Sequence, residues 1–148
     1  MKISCLRTDL ANAVSNVSRA VSTKAAIPAL EGVLIKAYDN KINISGYNLE
    51  IGITTDIEAT IQAEGEIVVS ARLFLDIVRR LPEEIVMIET DDRMVTYITC
   101  GHVDYQIVGM SSVEYPDLPS FEQTDSITVN AKILREMIRQ TVYAVSEN

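Results

Sequence analysis

The stretch from Thr8 to Ser22 constrains this chain most, because the residues from Asn130 to Ser146 write it a second time. Leu10, Ala13, Val14, Val17 and Val21 recur at the i, i+3, i+4, i+7 spacing that gathers apolar side chains on one stripe of an α-helix. Leu134, Met137, Ile138, Thr141 and Val145 repeat the spacing, and Ala20-Val21-Ser22 returns as Ala144-Val145-Ser146. Ile3 keeps the same register with Ile127, so a strand position, a helical stripe and a terminal tripeptide recur together. A repeat of this length is the size of a domain. The expectation is one full unit over residues 1–120, then a connector with the first strand and helix of a severed second unit over residues 121–148.

Within the first unit the order of elements is itself doubled. Lys2 to Leu6 reads as a strand, with Thr8 as the N-cap of the first helix and Asp9 favourable at its positive end. Pro28 cannot continue a helix, so a loop carrying Lys24 precedes the next strands. Glu31 to Ala37 and Lys41 to Ser45 form a hairpin about Asp39-Asn40; Gly46 to Asn48 reads as a turn, Leu49 to Ile53 and Ile57 to Gln62 as further strands. The second half starts with a strand at Glu66 to Val69 and a helix capped by Ser70 and stopped by Pro82, with Phe74, Ile77, Val78 and Leu81 inward. Strands at Ile85 to Glu89, Met94 to Thr99 and His102 to Val108 follow, with Asp91-Asp92-Arg93 in a turn. Met110 to Asp125 is a turn-rich connector, and Ser126 to Val129 opens the next unit. This is an α+β architecture: two amphipathic helices side by side on antiparallel sheet, related by an internal pseudo-twofold strand–helix–strands repeat.

Charge distribution carries the functional signal. The net charge of −8 argues by itself against a polyanionic partner. Yet nine of the thirteen basic residues lie in the three helical windows: Arg7, Arg19, Lys24, Arg72, Arg79, Arg80, Lys132, Arg135 and Arg139. The same windows contain only Asp9, Asp76 and Glu136 as acids. Exposed helices ordinarily mix Glu with Lys, so a skew of this kind points to a surface facing phosphates. With 5% aromatic residues and no Trp, base stacking has little support, which leaves sequence-independent contact with duplex backbone. The bland reading, a solvated face skewed by small numbers, leaves a sheet-rich protein-interaction module open.

Catalytic chemistry is faint. Asp91-Asp92 and Glu83-Glu84 are paired carboxylates of the type that hold Mg²⁺, so a metal-dependent nuclease using Asp39, Asp91 and Asp92 stays an alternative; all sit in turns, where acids are common. His102 has no nucleophile at a family spacing, the six glycines make no phosphate loop, and Cys5 and Cys100 are too few for a disulfide framework. No cofactor or metal is expected. The longest apolar runs are strand-sized and the start MKISCLRTD lacks secretory features, so a cytoplasmic location is expected.

Four segments in order, IPALEGVLI (Ile27 to Ile35), GYNLEIGI (Gly46 to Ile53), VVSARLFLDIVRRLP (Val68 to Pro82) and VEYPDLP (Val113 to Pro119), resemble the bacterial sliding clamps, the beta subunits of the replicative DNA polymerase III holoenzyme. The resemblance spans the whole chain. It implies a DNA-clamp fold with three such domains per subunit, two subunits closing head to tail into a ring, helices lining the hole and sheets outside. It implies a non-enzymatic processivity factor encircling duplex DNA, with the polymerase and the clamp loader docking on later domains absent here. Lys24 falls where the family places a basic residue touching duplex DNA, and Arg72 and Arg79 at inner-helix positions. His102 to Val108 resembles the edge strand that pairs with a partner subunit, with Tyr105 and Ile107 as apolar contacts; His102 and Asp104 stand where basic residues occur in some relatives. Residues 1–148 alone are then expected not to close a ring, leaving that edge open to self-pairing and the helix from Ala131 to Ser146 without its sheet.

Overall fold

A computed structural model describes residues 1–82, 84–119 and 127–145. The chain divides into two compact units, Met1–Leu118 and Pro119–Asn148. The first opens with β1 (Lys2–Leu6) and α1 (Arg7–Val17), then β2 (Gly32–Tyr38), β3 (Lys41–Tyr47), β4 (Gly52–Glu58) and β5 (Thr60–Ala63). Its second half repeats the plan with β6 (Gly65–Ser70), α2 (Ala71–Arg80), β7 (Ile85–Thr90), β8 (Val95–Cys100) and β9 (Val103–Val108). No helix among the described residues is long and apolar enough to cross a membrane.

The single sheet expected from the sequence is in fact two, both antiparallel: β5-β1-β7-β8-β9 and β4-β3-β2-β6. The opening strand of each half has left its own meander to pair with the other's. β1 lies against β7, with Ile3 opposite Ile88, and β6 lies against β2, with Ile67 opposite Ile35. The exchange extends one strand further: β5 flanks β1, and Met110 flanks β6 through a two-bond bridge with Val68 of 3.1 and 2.8 Å. Neither half can bury its helix alone. One core of Ile3, Leu10, Val14, Val17, Ile35, Ile44, Phe74, Val78, Ile88 and Ile98 draws on both sheets and both helices.

A smaller cluster of Ala29, Leu30, Leu34, Tyr47, Val68 and Tyr115 ties down the end of the unit, with Leu118 packed against it. The Tyr115 hydroxyl donates to the Ser45 carbonyl at 3.3 Å, and burial pushes its phenol up to about 12. All four segments that carry the family resemblance therefore meet here as packing residues.

Several local expectations are corrected. Thr8 does not cap α1; the N-cap lies two residues earlier at Leu6, and the Arg7 amide is already held by the Glu84 carbonyl at 2.6 Å. Past Val17 the chain tightens into a 3-10 turn, Ser18–Ala20, with the Ser18 hydroxyl bonded to the Val14 carbonyl. Ser70 occupies the N-cap of α2 without a side-chain cap bond. Gly46 is no turn: it lies inside β3, where a Cβ would run into the Val17 carbonyl, so the absent side chain lets α1 seat on the sheet. The turn is one step later. Asn48 accepts from the Glu50 and Ile51 amides, Leu49 takes φ +75°, and Leu49 and Ile51 are exposed rather than in a strand. Ile57 to Gln62 is not one strand either, because the chain passes from one sheet to the other at Ala59. Ile77 is half-buried at the edge of the stripe formed by Phe74, Val78 and Leu81.

The second unit contains α3 (Ala131–Thr141), capped by Asn130, whose side chain accepts from the Lys132 and Ile133 amides. Its apolar stripe, including Leu134, Met137 and Ile138, is exposed. Residues 127–130 contain no strand; Ser126 and Ser146 lie outside the described residues.

Candidate nucleic-acid interface

In α2 the apolar stripe fixes the face that remains. With Phe74 and Val78 fully buried, Arg72, Asp76, Arg79 and Arg80 are exposed, and Arg72 and Arg79 are two turns apart on one side. α2 packs beside α1, and the Arg79 guanidinium (Nη2) donates to the Ser15 hydroxyl of α1 at 3.1 Å. The 3-10 turn that carries the exposed Arg19 also packs against α2. Lys24 is exposed in the following loop, which is shaped by two bonds: the Lys24 amide to the Ser22 hydroxyl at 3.3 Å and the Ala25 amide to the Glu31 carboxylate at 3.2 Å. Arg7 is half-buried at the start of α1. The structure thus joins Arg19 and Arg79 through contacting elements, and puts Arg72 and Arg80 on the same helix as Arg79.

Placement at helix ends separates these cations energetically. Arg79 and Arg80 sit in the last turn of α2, where the macrodipole favours positive charge. Arg7 and Arg72 sit in first turns, where it opposes positive charge by roughly 0.3–1 kcal/mol in exposed settings. Helix stability therefore does not account for those two. Among the described residues none of Arg7, Arg19, Lys24, Arg72, Arg79 and Arg80 forms an ion pair.

Cations on the sheets are handled differently. Lys2 pairs with its cross-strand partner Glu89 at 2.9 Å, and Lys36 with its partner Glu66 at 3.3 Å. A hydrogen bond from the Ser112 hydroxyl, then Lys36, hold the Glu66 carboxyl below the usual carboxylate range. Lys41 sits opposite Glu58 in register. The flank of α1 toward β4 is acidic: Asp9, Asn12 and Asn16 share an open groove with Asp56 and Glu58. The cationic surface is accordingly the α2 side of the helix pair.

Lys132, Arg135 and Arg139 are exposed on α3, with Arg139 4.0 Å from Glu136.

Among the described residues the edge strand β9 pairs with β8 alone and is open on its other side. His102 belongs to the preceding turn rather than to the strand. Val103, Tyr105 and Ile107 alternate inward, with Ile107 9% exposed against the main core; Asp104, Gln106 and Val108 point out. The acids named for a nuclease are not brought together. Asp39 is in the β2–β3 turn at φ +47°, and Asp91 organises the β7–β8 turn by accepting from the Arg93 and Val95 amides, both at 2.9 Å. Among the described residues no group of three His, Cys, Asp or Glu is placed to hold a metal ion. Cys5 is buried, and that burial, with Asp9 adding to it, pushes its thiol up to about 12, so it is no nucleophile at neutral pH.

What the sequence did not disclose is the Ser15 anchor for Arg79 and the role of Tyr115.

The family model described as DNA polymerase III beta subunit, N-terminal domain, matches residues 1–119. The beta sliding clamp of Bacillus subtilis (strain 168) is 35% identical over 154 residues, covering 99% of this chain and 41% of the relative. That of Halalkalibacterium halodurans is 37% identical over 141 residues, covering 90% of this chain and 37% of the relative. The crystal structure of the DNA polymerase sliding clamp from Bacillus subtilis superposes with a TM-score of 0.95 at 35% identity, over 100% of this chain and 41% of that one. The chain spans about two fifths of the length of the relatives it matches.

Proposed function

Because this chain belongs to the DNA polymerase III beta-subunit family, the bacterial sliding clamps, we propose that it serves as the DNA-facing first part of a processivity factor. In this reading residues 1–120 are a complete first clamp domain, and residues 121–148 are a connector and the start of a second. The whole protein encircles duplex DNA as a homodimeric ring in the cytoplasm and tethers the replicative polymerase without catalysing a reaction itself. Polymerase and loader dock on later domains.

One observation carries the proposal: cations on the sheets stand opposite acids, whereas Arg7, Arg19, Lys24, Arg72, Arg79 and Arg80 have no ion-pair partner among the described residues. Unpaired guanidinium and ammonium groups on rigid helices attract phosphates, and because nothing aromatic or groove-reading accompanies them, the contact is indifferent to base sequence. Lys132, Arg135 and Arg139 extend the same role into the second repeat. Few, shallow contacts suit a protein that must move along its track. At the end of its sheet, the edge of β9 that is open among the described residues offers backbone N–H and C=O groups to a partner subunit, with Asp104 outward, Tyr105 half-buried behind the strand and His102 at its entry.

The test is duplex binding by the full chain, followed by fluorescence anisotropy across salt concentrations on two duplexes of unrelated sequence. Equal affinities that fall linearly on a log–log salt plot support the reading. Binding that is insensitive to salt, or that differs between the two sequences, overturns it.

A further inference from the structure

The helices carry very little acid, and each carboxylate that is present invites the question of what holds it there. Asp9 lies in the first turn of α1, where the macrodipole favours it. Glu136 accepts from Gln140 at 3.3 Å and lies 4.0 Å from Arg139. Asp76 has neither support. It sits midway along α2, is exposed, and forms no hydrogen bond or ion pair among the described residues. Yet it is surrounded by opposite charge: Arg72 is four residues before it, Arg79 three after and Arg80 four after, the spacings at which helical side chains are neighbours. The pairing with Arg80, acid first and base four later, is the favourable orientation and is not made. Arg79 is instead turned away to Ser15 of α1 at 3.1 Å.

A carboxylate at the centre of a cationic face that contributes no bond to the fold acts on whatever approaches that face. Resting on the duplex-binding reading above, we propose that Asp76 is a tuning residue that weakens the grip of Arg72, Arg79 and Arg80 on duplex phosphates. Its charge repels the backbone that the three arginines attract, so the chain is held near DNA without being pinned at one register. The surface is thereby set for weak, exchangeable contact with a polyanion. Removing the negative charge gives tighter and less mobile binding, an outcome opposite to that of removing any neighbouring arginine.

The experiment uses the full chain and a fluorescent duplex, comparing unmodified protein with Asp76→Asn, Asp76→Glu and Arg72→Ala. For one unit charge several ångströms from the phosphates in water, Asp76→Asn is expected to bind about two- to threefold tighter at ~50 mM salt. The gain shrinks as screening shortens to about 8 Å at physiological ionic strength. Asp76→Glu retains the original affinity, and the thermal midpoint of Asp76→Asn is unchanged. Arg72→Ala weakens binding in the same assay. Unchanged or weaker binding by Asp76→Asn, with Arg72→Ala still weakened, overturns the role of Asp76 and leaves the duplex reading standing. If Arg72→Ala also binds as before, or the unmodified chain does not bind, the duplex reading fails and this inference with it. A fall in thermal midpoint without tighter binding identifies Asp76 as a structural partner of the arginines and likewise overturns the proposal.

Discussion

The sheet surface and the helix surface of the first unit use the same residue types under different rules. On the sheets Lys2 and Lys36 lie directly across from Glu89 and Glu66, and both pairs close at 2.9 and 3.3 Å. On the helix pair the cations outnumber the acids, two of them occupy first turns where the macrodipole opposes them, and Arg79 bonds a neutral serine. Lys2 and Lys36 are paired within the fold, and Lys41 faces Glu58 in register. Arg7, Arg19, Lys24, Arg72, Arg79 and Arg80 have no ion-pair partner among the described residues. Since exposed pairs contribute only about 0–1 kcal/mol, the difference concerns what each surface meets more than how the unit stays folded.

If that division holds, stability should depend on what lies beneath the helices and not on their outer charges. The largest effect is expected from Phe74→Ala, which removes the fully buried anchor of α2 and should cost about 3–5 kcal/mol in denaturant unfolding. Close behind comes Gly46→Ala, which forces β3 away from the Val17 carbonyl and should cost about 3 kcal/mol by overpacking, without touching any charge.

Alkaline pH gives a third, smaller and graded effect. The Cys5 thiol is raised from 9.0 to about 12 and the Tyr115 phenol from 10.0 to about 12. Both are neutral acids when protonated, and the unfolded chain releases these protons first. Their contribution is fully present below pH ~9 and is lost as pH rises toward ~12. Equilibrium unfolding followed across this range should show that fall, and Cys5→Ala should make it shallower. At the acid end the lowered Glu66 carboxyl predicts a slight loss as pH falls through and below the ordinary glutamate range, kept small by solvent around an exposed pair.

Smallest in stability are the charge deletions that the comparison turns on. Lys36→Ala should cost no more than about 1 kcal/mol and leave duplex binding alone. Arg72→Ala should stay within about 0.5 kcal/mol of the original stability while lowering the salt slope of duplex binding by about one. An Arg72→Ala chain that lost stability but kept its salt slope would place that residue under the rule of the sheets.

The two surfaces also differ in how much of them was legible beforehand. α2 was readable nearly in full, because Phe74, Val78 and Leu81 recur at helical spacing and Pro82 ends the run. The hairpin about Asp39-Asn40 was readable too, since the left-handed φ of both residues suits that turn. What failed depended on partners distant in sequence. Thr8 looks like a cap, but a carbonyl at Glu84 had already satisfied the amide that would have started the helix later. Gly46 looks like a turn residue, although its reason is the end of α1 pressing on β3. Nothing local at Ala59 marks the passage between sheets, because periodicity reports which face a residue takes and not which sheet it joins.

For the site, the cationic bias of the helices was visible as composition, but pairing was not. Strand register decides that Lys36 meets Glu66, and helix contact decides that Arg79 meets Ser15. Along β9 the alternation of Val103, Tyr105 and Ile107 against Asp104, Gln106 and Val108 is plain in the sequence. An open backbone edge and an exposed side-chain face are separate properties of one strand, and among the described residues Ile107 lies on the open-edged strand with its side chain turned to the core.

The most direct measurement compares duplex affinity against salt for two charge-deleted forms of the full chain, one lacking Arg19, Lys24, Arg72 and Arg79, the other lacking Lys2, Lys36 and Lys41. The helix-deleted form is expected to lose most of its affinity and to flatten its log–log salt slope by about one for each phosphate contact removed, whereas the sheet-deleted form binds as the unmodified chain does. Equal losses from the two forms, or a larger loss from the sheet deletions, would contradict this expectation.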